Sequence, residues 1–142
     1  MFPGDVPIGE AATRSGVKVP TIRYYEQIGL LPAPPRSDGN RRQYDKNDLS
    51  RLTFIRHARE LGFEIDAIRT LLSLQDNPDQ SCEVADGIAR ARLSEVETRI
   101  SSLLALQAEL QRMVEHCAHG RVADCRVIET LADDTHDHGR LG

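Results

Sequence analysis

The stretch 82–125 limits what this chain can fold into more than any other part of it. It contains no proline, begins at Cys82, ends at Cys125 and carries a third cysteine, Cys117, near its end. Its seam residues recur at alternating spacings of four and three: Ala89, Leu93, Val96, Ile100, Leu103, Gln107, Leu110, Val114 and Cys117. That is the apolar stripe of a long helix with a heptad repeat. Most other positions are charged or polar, Arg90, Glu95, Arg99, Glu109 and Arg112 among them, and Gly87 is a lone weak helix former. A helix from 82 to 117 runs roughly 50 Å at 1.5 Å per residue, so its end thiols cannot meet within one chain. In an antiparallel pair they can. The Cys82 end of one copy then lies beside the Cys117 end of the other, giving two equivalent sites per dimer. Gln107, polar on the seam, can set the register of that pairing.

The loop that follows reads Cys117-Ala118-His119-Gly120-Arg121-Val122-Ala123-Asp124-Cys125. Gly120 supplies a turn, and two thiols bracket a compact excursion, which is a metal-ligand layout in outline. A short amphipathic segment, 126–131, opens at Cys125, and a helix N-terminus there favours the metal-binding thiolate. One buried cysteine alone reads as a small hydrophobe, and Cys117 lies on the seam. Three at the ends of one helix and its loop read as ligands: Cys82, Cys117 and Cys125. His119 inside the loop and His116 before it are further donors, although a histidine is also an ordinary turn residue.

The chain has 142 residues, enough for one compact domain of about 70–80 residues and an extended arm. The expected division is a DNA-binding domain over 1–75, a linker over 76–81, a dimerisation helix over 82–117, a metal-binding loop and short helix over 118–132, and a polar tail over 133–142. His136 and His138 in that tail are weak metal donors at best. No run approaches a membrane span, and the first residues lack the pattern of a secretion signal, so the expected place is the cytoplasm, with no membrane partner. An odd number of cysteines agrees with thiols or ligands there. The net charge of −4 is unevenly divided. Residues 1–75 hold 11 Lys/Arg against 9 Asp/Glu, a net of +2, and 76–142 hold 7 against 13, a net of −6. An anionic partner therefore belongs at the N-terminal part.

That part begins irregularly. Ile8–Ser15 reads as a helix with Ile8, Ala11 and Ala12 inward, Gly16 starts a tight turn, and a second helix follows with Pro20 at its first position. Two short helices so close form a helix-turn-helix. Ile22 and Ile28 hold the second helix to its scaffold while Arg and Tyr side chains reach phosphate and base edges. Pro32-Ala33-Pro34-Pro35 forbids helix, and Asp38-Gly39 within 36–44 signals a hairpin, a small wing whose arginines clamp phosphate. The DNA-contact set is Lys18, Thr21, Arg23, Tyr24 and Tyr25 around the second helix, Arg36, Asn40, Arg41 and Arg42 in the wing, and Arg56 in the helix after it. Asp45 and Asp48 form a capping box for that helix, in which Leu49, Leu52, Ile55 and Ala58 face inward while Arg51, Arg56 and Arg59 point elsewhere. Gly62 breaks it. A further helix from about 65 to 74 carries Ile65, Ile68, Leu71 and Leu72, and residues 76–79 hinge into Cys82.

These residues resemble a known family. Ile8-Gly9-Glu10, Thr21-Ile22-Arg23-Tyr24-Tyr25-Glu26, Gly29-Leu30-Leu31, Arg41-Arg42-Gln43-Tyr44 and Phe54-Ile55-Arg56 are similar to the MerR transcription regulators, over nearly the whole chain. The resemblance implies a mostly α fold: a winged helix-turn-helix DNA-binding domain of four helices, a long antiparallel coiled-coil dimerisation helix and a C-terminal metal-binding loop. It implies a homodimer on promoter DNA whose two elements are too far apart, distorted on inducer binding so that RNA polymerase engages both. Cys117 and Cys125 resemble the paired loop cysteines of the metal-sensing branch. Cys82 resembles the cysteine that divalent-metal sensors contribute from the partner subunit, where copper-type sensors usually have serine. The seven residues between Cys117 and Cys125 resemble the copper type instead. The expected ligand is a divalent soft ion, Zn, Cd, Pb or Hg, with Cu(I) or Ag(I) as the alternative. Three thiolates balance a divalent ion better than a monovalent one. A thiol enzyme and a coiled-coil adaptor that does not bind DNA are the competing classes. No Cys-x-x-Cys, phosphate loop or placed acid–base pair supports the enzyme, and the wing arginines have no use in an adaptor.

Overall fold

The computed structural model describes residues 4–32, 43–116, 120–122 and 125–133. The chain divides into two units, Met1–Ile88 and Ala89–Gly142. In order, the elements are β1 (Val6–Pro7), α1 (Ile8–Ser15), α2 (Val19–Gln27), β2 (Gln43–Tyr44), α3 (Lys46–Glu60), α4 (Ile65–Gln75), α5 (Glu83–Glu115) and α6 (Arg126–Ala132).

The first unit is built on a core of Ala11, Ile22, Leu30, Leu31, Leu52 and Ile68, each at most 1% exposed. Burying each of the larger side chains contributes about 1.5–3 kcal/mol, so helices too short to persist alone are held by packing. Ala11 lies inward with Ile8 and Ala12 packed against the core, and Leu52, Ile55 and Ala58 form the buried stripe of α3, as their spacing requires. The Asp45–Asp48 capping box is present. The Asp48 N–H donates to Asp45 Oδ1 at 2.8 Å, and the Asp45 N–H donates to Asp48 Oδ2 at 3.0 Å.

Gly16 ends α1 in the left-handed region, at φ 76, with its N–H donating to the Ala12 carbonyl at 2.9 Å. A Cβ at this position would meet the Arg56 side chain, 3.1 Å from Nε and 3.2 Å from Cδ. Both the backbone and the space therefore select glycine. α2 begins at Val19, one residue earlier than expected, which makes Pro20 its second residue.

Two other expectations change. The N-terminal segment is not wholly irregular: Val6–Pro7 pairs antiparallel with Gln43–Tyr44, with Val6 opposite Tyr44 and Pro7 opposite Gln43. The returning strand of the expected wing is thus anchored to the start of the chain. The hairpin itself, including Asp38-Gly39, lies outside the described residues.

Arg51, Arg56 and Arg59 do not simply point away from the core. Arg51 donates to the Leu30 carbonyl, Arg56 Nε to the Ser15 carbonyl at 2.8 Å, and Arg59 to the Phe63 carbonyl at 2.9 Å. Each satisfies a backbone oxygen where a helix has ended or a turn begins, where no helical N–H is available.

α5 is one 33-residue helix. Met113 is its one buried residue, while Leu93, Val96, Ile100, Leu103, Leu110 and Val114 are 36–65% exposed. The seam read from the heptad spacing is an uncovered apolar face. Leu103, Leu106, Gln107, Leu110 and Val114 line a shallow groove of ≈ 490 Å³ along it. No helix of the described residues is long and apolar enough to cross a membrane.

Candidate functional site

The second helix of the helix-turn-helix, α2, separates the expected nucleic-acid contacts by burial. Lys18, at its N-cap, Arg23 and Tyr24 are exposed, Tyr24 at 49%, and Thr21 is half-buried. These side chains can reach a duplex with donors for phosphate and base edges. Tyr25 is different: its ring is in the core, 7% exposed, and tilted against Tyr24 at a centroid distance of 6.1 Å. Burial pushes its phenol pKa up, with the charge of Arg59 opposing and Tyr24 adding to the rise. Its ring packs α2 from behind, so of the two adjacent phenols Tyr24 is the more accessible.

Arg56, the expected contact on α3, makes bonds within the fold. Besides its bond to the Ser15 carbonyl, Nη1 pairs with the Glu60 carboxylate at 2.7 Å, and the side chain covers Gly16. The guanidinium is committed to the turn between α1 and α2. Arg36, Asn40, Arg41 and Arg42 lie outside the described residues.

One contact on α2 has no local sequence signal. The Tyr44 hydroxyl donates to the Glu26 carboxylate across 18 residues of chain, and Tyr44 is fully buried. It ties β2, the returning strand of the expected wing, to α2.

At the mouth between β1 and α3, Asp48 lies close to Asp45 and Asp5. Its pKa is raised to about 6, first by burial and then by the like charges of Asp45 and Asp5, against the lowering effect of its hydrogen bond from the Asp45 backbone.

The two described thiols, Cys82 and Cys125, occupy helix starts. Cys82 is exposed, and its carbonyl accepts the Asp86 N–H at 2.9 Å, the first backbone bond of α5. Cys125 is half-buried at the N-cap of α6, its carbonyl accepting the Glu129 N–H at 3.0 Å and its own N–H donating to the Val122 carbonyl at 3.0 Å. Backbone bonds thus fix where both residues leave the main chain. Cys117 and His119 lie outside the described residues, and His116 is exposed at the end of α5. Among the described residues no three His, Cys, Asp or Glu side chains gather into a metal-binding group. The donor types at hand, thiolate with imidazole nearby in sequence, suit a soft or borderline ion.

Two family models match the chain: MerR HTH family regulatory protein over residues 6–75, and MerR, DNA binding over residues 49–113. The chain is 44% identical over 128 residues to the HTH-type transcriptional regulator ZntR of Escherichia coli strain K12, covering 87% of this chain and 90% of that protein. The fold is similar to that of the transcription regulator PbrR691 from Ralstonia metallidurans CH34 in complex with lead(II). That match has a TM-score of 0.76 and 38% identity, over 89% of this chain and 99% of the other. It is also similar to the dual-function regulator MerR from Bacillus megaterium MB1 in complex with mercury(II), with a TM-score of 0.68 and 29% identity, over 90% of this chain and 100% of the other.

Proposed function

This chain belongs to the MerR family of HTH regulatory proteins, and we propose that it is a metal-responsive transcription regulator acting as a homodimer on promoter DNA in the cytoplasm. In this reading it senses a divalent soft ion, Zn, Cd, Pb or Hg, and switches on its target promoter by distorting DNA so that RNA polymerase engages both promoter elements. The observation that carries it is the placement of Cys82: exposed, and at the head of a 33-residue helix whose apolar face is uncovered. A second copy laid antiparallel on that face covers the seam and brings Cys82 to the partner's loop. Cys82 of one chain with Cys117 and Cys125 of the other would hold the ion, and His119 would complete a tetrahedral set. The relatives bound to lead(II) and mercury(II) support a soft-ion ligand. Held in this way, thiolates of two subunits would be joined at one site, which would fix the head of α5.

On the DNA side the proposed contacts are Lys18 at the N-cap of α2, Thr21, Arg23 and Tyr24 on it, and Arg36, Asn40, Arg41 and Arg42 from the expected wing. The five segments read from the sequence complete the proposal, with the DNA-binding part ahead of residue 76.

The seven-residue interval between Cys117 and Cys125 favours a second reading, a Cu(I) or Ag(I) sensor that uses the loop pair alone. Both readings are tested by Cys82→Ser on an operator selected from random duplexes, with promoter output measured against Zn²⁺, Cd²⁺, Pb²⁺, Hg²⁺ and Cu⁺. Loss of the divalent response is expected. A full divalent response without Cys82 overturns the three-thiolate site, and complete release of the operator on adding metal would mean a simple repressor.

A further inference from the structure

Arg51 spans two places that the proposed switch must connect. Its Nε donates to the Leu30 carbonyl at 3.1 Å, and its Nη1 donates to both carboxylate oxygens of Asp76, at 3.1 and 3.2 Å. Leu30 is bound to α2: it is 1% exposed, and its N–H donates to the Tyr25 carbonyl at 2.9 Å. A movement of the Leu30 carbonyl therefore moves with the end of α2, the helix that presents Arg23 and Tyr24.

Asp76 stands at the other side, where α4 has just ended. Its N–H donates to the Leu72 carbonyl at 3.1 Å, the Asn77 N–H to Leu74 at 3.0 Å and the Gln80 N–H to Asn77 at 3.1 Å. The segment from Asp76 is thus a bonded series of turns that arrives at Cys82 six residues later. A planar guanidinium offers donors in fixed directions, so one group bonded at both ends sets the distance between them. The two ends differ in cost. Leu30 sits in the core, whereas the Asp76 side chain is 55% exposed, so the Asp76 end can break and re-form while the Leu30 end stays bound.

We infer that Arg51 is a positioning residue that couples the Asp76–Cys82 segment to the end of α2, transmitting a change at the head of α5 to the DNA-facing helix. It touches neither DNA nor metal in this role. The inference rests on the metal-responsive reading above. An element that can be made or broken at one exposed contact is the kind whose equilibrium two sites can both bias.

The test uses the full chain on the selected operator, labelled with 2-aminopurine at its centre, titrated with Zn²⁺, Pb²⁺ and Hg²⁺ in turn. Arg51→Lys keeps the charge and loses the fork, while Asp76→Asn keeps the size of an exposed side chain and loses the ion pair. Both are expected to bind the metal-free operator and the ion as the unaltered chain does, and to lower the metal-induced fluorescence change by about 5-fold or more. The double variant should lower it no further than either single one, because both act on one bridge. An undiminished metal response in the variants, with or without a lower Tm, makes Arg51 a plain structural staple and overturns the inference. Additive losses overturn it as well. If the unaltered chain itself shows no metal response, the proposed function fails and the inference with it, a result read from that arm alone.

Discussion

Gly16→Ala tests how the turn of the helix-turn-helix is held, because two separable costs meet at one Cβ. The backbone at φ 76 disfavours any L side chain by about 1–2 kcal/mol. The added methyl would also lie 3.1 Å from Arg56 Nε and 3.2 Å from its Cδ, tighter than ordinary contact. Arg56 must then move, and its 2.8 Å bond to the Ser15 carbonyl, worth about 1–3 kcal/mol as a charged donor to a partly buried oxygen, weakens. The expected cost in the unaltered background is ~2–4 kcal/mol. In an Arg56→Ala background the crowding partner is gone and only the backbone cost remains, ~1–2 kcal/mol. Urea unfolding of the four proteins at one fixed concentration, as a double-mutant cycle, should give an interaction of about 1 kcal/mol or more in that direction. Equal costs for Gly16→Ala in the two backgrounds would refute the claim that Arg56 fills the space over the turn. A cost near zero would refute the left-handed turn itself.

Two further outcomes are expected. Because the Asp48 carboxyl is raised from 3.8 to about 6, the folded chain binds the extra proton between those values; its contribution to stability is present below about pH 4 and is lost as pH rises through about 6. The side chain is partly exposed, so the effect is at most about 1 kcal/mol after solvent screening. Asp48→Asn should flatten the unfolding free energy across that window, and an unchanged slope would refute the assignment. Replacing Arg41 and Arg42 together by Ala should weaken operator binding similarly across sequences and reduce the log–log salt slope by about 2. A gel-shift titration with the same slope as the unaltered chain would remove the wing from the phosphate contacts.

The elements legible in the sequence are those whose cause is local. The capping box needs only Asp45 and Asp48, three residues apart, and α1 ends at Gly16 because the chain must enter the left-handed region there. The stripe of α5 follows from a repeat of four and three, so both the helix and its apolar face could be read without a structure. Cys82 and Cys125, read as the ends of a ligand-bearing stretch, lie at the starts of α5 and α6.

What the sequence could not supply is the direction of long polar side chains, which depends on partners far along the chain. Arg56 reads like any helical arginine beside a DNA-binding motif, but the Ser15 carbonyl, 41 residues away, claims its Nε. Tyr24 and Tyr25 are adjacent and chemically identical, yet the pitch of α2 turns one outward and the other into the core. Arg51 was legible only as polar, since neither the Leu30 carbonyl nor Asp76 is near it in sequence. Periodicity fixes which face of a helix is apolar, because burial repeats with the helical turn. Which backbone oxygens are left without a donor, and which guanidinium reaches them, is decided only when separate helices pack.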